Sequence, residues 1–140
     1  MRRALALLLV PVVGGLLAAC SSEGRSEEET AKAYISALND RDPKALVALA
    51  VKAKGLVGLE GDAEEIIAKD GGRGLKITDM KVTTPTSSEA ADVDVSGTDK
   101  AGKPFTMRVY VSREGDARDW TINLGRYEGT PKSNPAETSK

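Results

Sequence analysis

The chain of 140 residues contains no histidine and a single cysteine, Cys20. Histidine is the most common general base and metal ligand in proteins, and structural zinc sites use cysteine and histidine side chains. One cysteine cannot form a disulfide within the chain. The sequence therefore excludes a structural zinc site and histidine-based catalysis, and we expect neither a metal ion nor a cofactor.

Aromatic residues and net charge are also scarce. The chain has five aromatic residues, and its 20 basic side chains nearly balance 21 acidic ones. Residues 20–140 alone carry a formal charge of −3, because Arg2 and Arg3 lie before them. Nucleic-acid-binding domains carry a clustered basic face. We therefore expect no nucleic-acid partner.

The one long apolar run lies near the N terminus. Arg2 and Arg3 precede the run over residues 4–19, which ends in small residues before Cys20. A charged start, an apolar stretch and small residues at a cleavage point are typical of a secretory signal. The run is shorter than the ~20 residues that span a bilayer. The pattern predicts a cleaved signal over residues 1–19.

The end of this segment, Leu17-Ala18-Ala19-Cys20, resembles the lipobox of bacterial lipoproteins. The resemblance implies that Cys20 receives a diacylglyceryl group and that the chain is cut before it. Residues 20–25, which are mostly polar, are expected to form a short tether. Two acyl chains are enough for stable anchoring. The protein would then lie on the outer side of the cell membrane. The alternative is a plain secretory signal with a chance cysteine at its end.

Helical patterns follow the tether. The segment Ser26–Glu29 matches a capping box and predicts a first helix over residues 27–39. Asp42 is expected to cap a second helix with Pro43 at its first position, and Gly55 is expected to end it.

A third short helix is predicted after a second capping box, formed by Asp62 and Glu65. The glycine-rich stretch over residues 70–74 would stop it. That stretch follows a helix and precedes a strand, the reverse of the order in a phosphate-binding loop. We therefore interpret it as a turn.

From Leu75 onward the apolar period changes to two, which predicts four strands. The phase reverses near residues 78–79, which indicates a bulge. Matching the apolar rows of the second and third strands places Asp94 opposite Arg108. The predicted inner rows of the last three strands are Ala91, Val93 and Val95; Phe105, Met107, Val109 and Val111; and Trp120, Ile122 and Leu124.

These elements predict an α+β domain over residues 26–127, with two to three N-terminal helices packed on one face of a curved four-stranded antiparallel sheet. A disordered tail is expected over residues 128–140. The order of elements resembles the cone-shaped fold of nuclear transport factor two, ketosteroid isomerase and many small actinobacterial lipoproteins. That resemblance implies no single function, because the fold hosts isomerases, dehydratases and non-catalytic binding modules.

The inner rows contain no titratable side chain, and Asp92 and Asp94 alternate outward, so we predict a protein that is not an enzyme. Its expected role is to bind an apolar small molecule or a cell-surface protein. An isomerase or dehydratase and a pure interaction domain are the alternatives. The predicted pocket wall, for which core packing is the other interpretation, is Tyr34, Leu38, Phe105, Met107, Trp120 and Ile122.

Overall fold

The computed structural model describes residues 24–83 and 88–129; the predicted signal, Cys20 and residues 130–140 lie outside this range. In the described part, no helix has the length and apolarity needed to cross a bilayer. The elements in chain order are α1 (Glu27–Asp40), α2 (Pro43–Leu49), β1 (Leu56–Val57), α3 (Leu59–Asp70), β2 (Lys76–Thr83), β3 (Ala90–Thr98), β4 (Pro104–Ser112), β5 (Thr121–Ile122) and β6 (Arg126–Tyr127).

Four strands form the main sheet in the order β2-β3-β4-β5, and every neighbouring pair is antiparallel. Helix α1 packs across β2, β3 and β4, and α2 and α3 pack against α1 and each other. A second sheet pairs β1 with β6. The predicted fold class, helices on one face of a curved antiparallel sheet, is confirmed.

The predicted strand register is also confirmed. Val93 pairs with Val109, and Asp94 pairs with Arg108 on the other face. Burial alternates along β3, which fixes the register because a slip of one residue would turn every buried side chain outward. The predicted bulge lies between Ile77 and Asp79, where the β2–β3 pairing shifts by one residue.

Two helix starts follow the local sequence. Ser26 accepts a hydrogen bond from the Glu29 N–H at 3.2 Å, and the Glu29 carboxylate accepts one from the Ser26 N–H at 2.8 Å. Asp42 caps α2 by accepting from the Ala45 N–H at 3.1 Å, and Pro43 takes the first helical position. Both caps satisfy backbone donors that have no partner inside the helix.

The predicted end of the second helix at Gly55 is wrong. Helix α2 stops at Leu49 because the next residues join the sheet instead. Ala50 forms a parallel bridge with Ile122, and the Val51 N–H donates to the Ile122 carbonyl at 3.1 Å. The end of the helix is therefore set by a contact with β5, which lies about 70 residues later in the chain.

The predicted cap of the third helix is also wrong. Helix α3 begins earlier, after Gly58, whose φ of 82° gives a left-handed cap without a side-chain hydrogen bond. Asp62 lies inside the helix, and its Oδ2 accepts from the Gly125 N–H at 2.8 Å. This carboxylate therefore joins α3 to the segment between β5 and β6.

The last predicted strand is shorter than its apolar pattern. Trp120, Ile122 and Leu124 are buried as expected, but β5 pairs with β4 only at Thr121 and Ile122. The chain then turns away to form β6. The N–H of Glu128, the first residue of the predicted tail, donates to the Gly55 carbonyl at 3.0 Å.

The first two described residues are attached to this fold. The Trp120 N–H donates to the Arg25 carbonyl at 2.9 Å, and the Arg25 N–H donates to Asp119 Oδ1 at 2.7 Å. The Arg25 guanidinium donates to the Trp120 carbonyl at 3.0 Å and to the Thr30 hydroxyl at 3.1 Å. We call these four hydrogen bonds the Arg25 clasp. Arg25, predicted to end a tether, is thus held by the domain.

Candidate functional site

The space between the helices and the sheet is filled by side chains. Four of the six predicted pocket residues belong to the buried core, namely Leu38, Phe105, Trp120 and Ile122. The other two, Tyr34 and Met107, are partly buried and pack against it. Their contacts are those of core residues, so binding of a ligand by this set stays a prediction.

The register separates the two largest of these side chains. Phe105 pairs with Gly97 near the start of β4, whereas Trp120 precedes Thr121, which pairs with Ser112 at the far end. Seven residues of strand at ~3.3 Å each put roughly 23 Å between these positions. Phe105 and Trp120 therefore do not share one wall.

Tyr34 and Ile122 do meet at one cavity, which has a volume of about 150 Å³. It opens where β5 ends and the chain diverges from β4 toward β6. Its lining also includes the apolar side chains Ile66, Val109 and Leu124 and the polar residues Arg108, Tyr110 and Asn123. Typical small-molecule pockets have volumes of roughly 300–1,000 Å³, so this cavity fits no more than a single side chain or a small apolar group.

Tyr34 is a titratable side chain that is partly buried against the core. Burial raises the pKa of its phenol above the ordinary value, and the negative charge of Asp70 adds to the effect. The phenol is therefore neutral at physiological pH. It can donate a hydrogen bond but is not activated as a base.

The predicted carboxylates lie on the outer face of the sheet. Asp94 accepts hydrogen bonds from the Arg108 guanidinium at 2.7 and 3.3 Å. This pairing holds the pKa of Asp94 below its usual range and raises that of Arg108. Asp92 pairs with Tyr110 on the same face. Both carboxylates thus alternate with the buried side chains of β3, and the Tyr34 cavity is lined by Arg108 and Tyr110 but by neither carboxylate.

A larger groove of about 360 Å³ lies at the end of the domain where the Arg25 clasp forms. Its charged lining has both signs, with Arg25, Lys52 and Arg118 beside Glu114 and Asp119. Sequence reasoning did not find this groove, because its lining comes from three segments that are distant in the chain.

A third depression of about 300 Å³ lies between α2 and α3. Pro43 and Val47 form its apolar floor, and Lys44, Glu60 and Glu64 surround them. The sequence does not predict this depression, because its shape depends on how α2 and α3 pack against each other.

No described group of three or more Asp, Glu, His or Cys residues is arranged to hold a metal ion. The Arg113 guanidinium lies 5.2 Å from the centre of the Trp120 ring, within the range of a cation–π contact. The Arg113 Nε is buried there and has no hydrogen-bond partner among the described residues. This arrangement shields Trp120 at the edge of the core.

Comparison with known proteins bears on the fold. No protein-family model and no curated protein matches the chain. The structure is similar to that of a protein from Campylobacter jejuni described as an NTF2-like transpeptidase. The match covers 69% of this chain and 96% of that one, with a TM-score of 0.53 and 14% identity. A protein from Sphaerobacter thermophilus aligns over 74% of this chain and 99% of its own, with a TM-score of 0.45 and 19% identity. The first similarity, together with the helix and sheet arrangement, shows that this chain has an NTF2-like α+β fold.

Proposed function

We propose that the protein is a lipid-anchored, extracytoplasmic lipoprotein whose domain binds a partner at the cell surface and does not catalyse a reaction. The proposal that the domain is not catalytic rests on which side chains are buried in its core. Thr30 is the one polar residue in the buried core of the described chain. Its hydroxyl is already occupied by the Arg25 guanidinium and lies 2.8 Å from the Ser26 carbonyl.

Acid–base catalysis needs a titratable group within hydrogen-bond reach of the substrate and with a pKa near the working pH. Burial raises the pKa of Tyr34 further from that range, and Asp94 accepts a hydrogen bond from Arg108 on the outer face. These observations support a binding domain over an isomerase or dehydratase of the same fold.

The size and lining of the cavities favour a macromolecular partner over an apolar small molecule. The Tyr34 cavity, at about 150 Å³, is below the range of small-molecule pockets, and the two surface depressions that reach this range each carry several charged side chains. The exposed surfaces are larger, and they include the polar sheet face that carries Asp94 and Arg108. A cell-surface protein is therefore the partner class that we propose.

The anchoring part rests on the Leu17-Ala18-Ala19-Cys20 motif, and metabolic labelling with a fatty-acid analogue tests it. The parent chain and Ser21→Ala, the matched control that keeps Cys20, should incorporate label and sediment with membranes. Cys20→Ala should incorporate no label, because it lacks the sulfur that carries the diacylglyceryl group. Equal labelling of Cys20→Ala and the parent would refute the anchor.

A dye titration separates partner binding from small-molecule binding. The probe is 1-anilinonaphthalene-8-sulfonate, an anionic dye whose aromatic rings fluoresce strongly in apolar sites, added to the folded protein. We expect no saturable binding, and we expect Trp120 emission to be blue-shifted and unaffected by the dye, since this ring is 6% exposed. Saturable binding that Ile66→Trp abolishes by filling the Tyr34 cavity would support a small-molecule site and contradict the proposal.

A further inference from the structure

We infer that the membrane-bound protein has a fixed orientation, in which the end of the domain that carries the Arg25 clasp faces the lipid headgroups. The surface in question is formed by Gly24, Arg25, Lys52 and Arg118, and its partner is the surface of a lipid bilayer. The inference rests on the proposed lipid anchor at Cys20.

Covalent reach limits how far this end can lie from the anchor. Three residues lie between Cys20 and Gly24, so four Cα–Cα steps connect them. A fully extended chain spans at most ~3.6 Å per residue, so the Cα of Gly24 lies within about 14 Å of the lipidated residue. This distance is smaller than the domain itself, and the domain therefore cannot tumble freely above the bilayer.

The direction in which the chain leaves the domain is fixed as well. Gly24 packs so closely on the backbone carbonyl of Arg118 that a Cβ at this position would overlap it. The Arg25 clasp then holds the next residue through hydrogen bonds to Asp119, Trp120 and Thr30. A pivot at residues 24–25 would break these contacts, so the chain enters the domain at one fixed point on this end.

The chemistry of this end is compatible with a headgroup layer. Lys52 and Arg118 line the groove beside Arg25, and Glu114 and Asp119 contribute the opposite charge. Phospholipid headgroups also present both signs, as phosphate and ammonium groups. The mixed lining means that the short chain, and not a strong electrostatic attraction, imposes the contact.

The hairpin between β3 and β4 lies at the opposite end of α1. The Gly72 N–H donates to the Leu38 carbonyl near the helix C terminus, and the Lys100 N–H of the hairpin donates to the Arg73 carbonyl. Helix α1 has 14 residues, which corresponds to a length of roughly 21 Å. The tip of the hairpin therefore points away from the bilayer, toward any partner in solution.

Fluorescence quenching by a headgroup-labelled lipid tests this orientation. The lipidated full-length protein, carrying Lys52→Cys or Ala101→Cys, is labelled with one fluorophore and reconstituted into phosphatidylcholine vesicles that contain a nitroxide headgroup lipid. Both positions are exposed, and acylated Cys20 offers no thiol. Quenching at position 52 should exceed that at position 101 at least about twofold, because roughly 21 Å of helix separates the two ends.

The matched control is a flexible Gly/Ser segment of about 20 residues inserted between Ser22 and Glu23, which should remove the difference between the two positions. Equal quenching with the native spacing, or stronger quenching at position 101, would overturn the orientation while leaving the anchor intact. A persistent difference in the insertion variant would overturn the role of the short chain. Failure of the parent protein to sediment with vesicles would instead refute the proposed anchor, and the inference with it.

Discussion

Asn39 joins the end of α1 to the start of the sheet, and its removal gives a sharp test of how the domain is held together. The Asn39 Nδ2 donates to the Leu75 carbonyl at 2.9 Å, and the Leu75 N–H donates to Asn39 Oδ1 at 2.7 Å. Leu75 is 4% exposed. One amide side chain therefore satisfies both backbone groups of a buried residue, as a neighbouring strand would.

The expected cost of Asn39→Ala follows from these two hydrogen bonds. Each contributes about 1 kcal/mol net, so their loss should lower the free energy of unfolding by about 2 kcal/mol. For a domain near 100 residues, a change of 1 kcal/mol moves the melting temperature by ~4 °C or more, which predicts a fall of roughly 8 °C. Ser36→Ala is the matched control on the same helix, because its 3.4 Å contact with Asp40 is exposed.

A second variant, Asn39→Asp, adds a pH signature to the thermal melt. A carboxylate can accept from the Leu75 N–H but repels the Leu75 carbonyl, whereas the protonated acid can satisfy both. Folding therefore raises the pKa of the introduced acid, and its favourable contacts are present below the unfolded pKa and lost as pH rises through the folded one. The melting temperature of Asn39→Asp relative to the parent should fall between about pH 3 and pH 7.

Circular dichroism at several pH values measures both variants. A loss in Asn39→Ala no larger than that in Ser36→Ala would show that water replaces the side chain at Leu75. A gap between Asn39→Asp and the parent that does not change with pH would refute the assigned roles of the two amide atoms.

Three further predictions concern the sheet and the segment between β5 and β6. Gly97→Ala should lower the melting temperature while Ser96→Ala does not, because a Cβ at Gly97 would overlap the Lys76 carbonyl and lie 3.0 Å from the Phe105 ring; equal melting of the two variants would contradict this packing. Arg108→Gln should raise the pKa of Asp94 in a carboxyl NMR titration, because the Arg108 hydrogen bond is the main cause of its lowered value. The contribution of this pair to stability is present above the unfolded pKa of Asp94 and lost as pH falls through the folded one, so the parent and Arg108→Gln should converge in acid. Asp62→Ala should cost about 1 kcal/mol in urea unfolding and Asp62→Asn less, because the amide keeps an acceptor for the Gly125 N–H; the reverse order would exclude this contact.

The features that the sequence predicts well depend on neighbours in the chain or on strict alternation. Ser26 and Glu29 satisfy each other within one helical turn, so the pattern is sufficient. The β3–β4 register follows because burial of Val93 on one face forces Asp94 to the other. The bulge near Ile77 is visible as a change of phase in the apolar row.

The features that the sequence does not predict depend on distant contacts. Gly58 caps α3 through its backbone conformation and offers no side chain to recognise. Asp62 lies three residues before Glu65 and so matches a capping box, yet its carboxylate is used by Gly125. Strand β1 has two residues and exists only because β6 lies beside it. No local pattern carries this information.

In the candidate site, too, the sequence predicts the features set by local alternation and not those set by distant contacts. The apolar character of the pocket residues was predictable from the alternation, and Phe105, Trp120 and Ile122 are buried as expected. Whether they enclose a cavity depends on where β5 leaves β4, which the apolar period does not encode. The groove at the Arg25 clasp depends on a contact between residues 94 positions apart.

The Arg25 clasp also determines how the domain would respond to mechanical load. A pulling force applied at residue 24 acts through Arg25 on Asp119 and Trp120 as well as on Thr30 in the first turn of α1. The four hydrogen bonds share the force between the helix N terminus and the segment that enters β5, so they must be stretched before either element unravels. The clasp therefore joins two elements that lie 90 residues apart in the chain, whereas a helix end without such contacts would unwind turn by turn under tension.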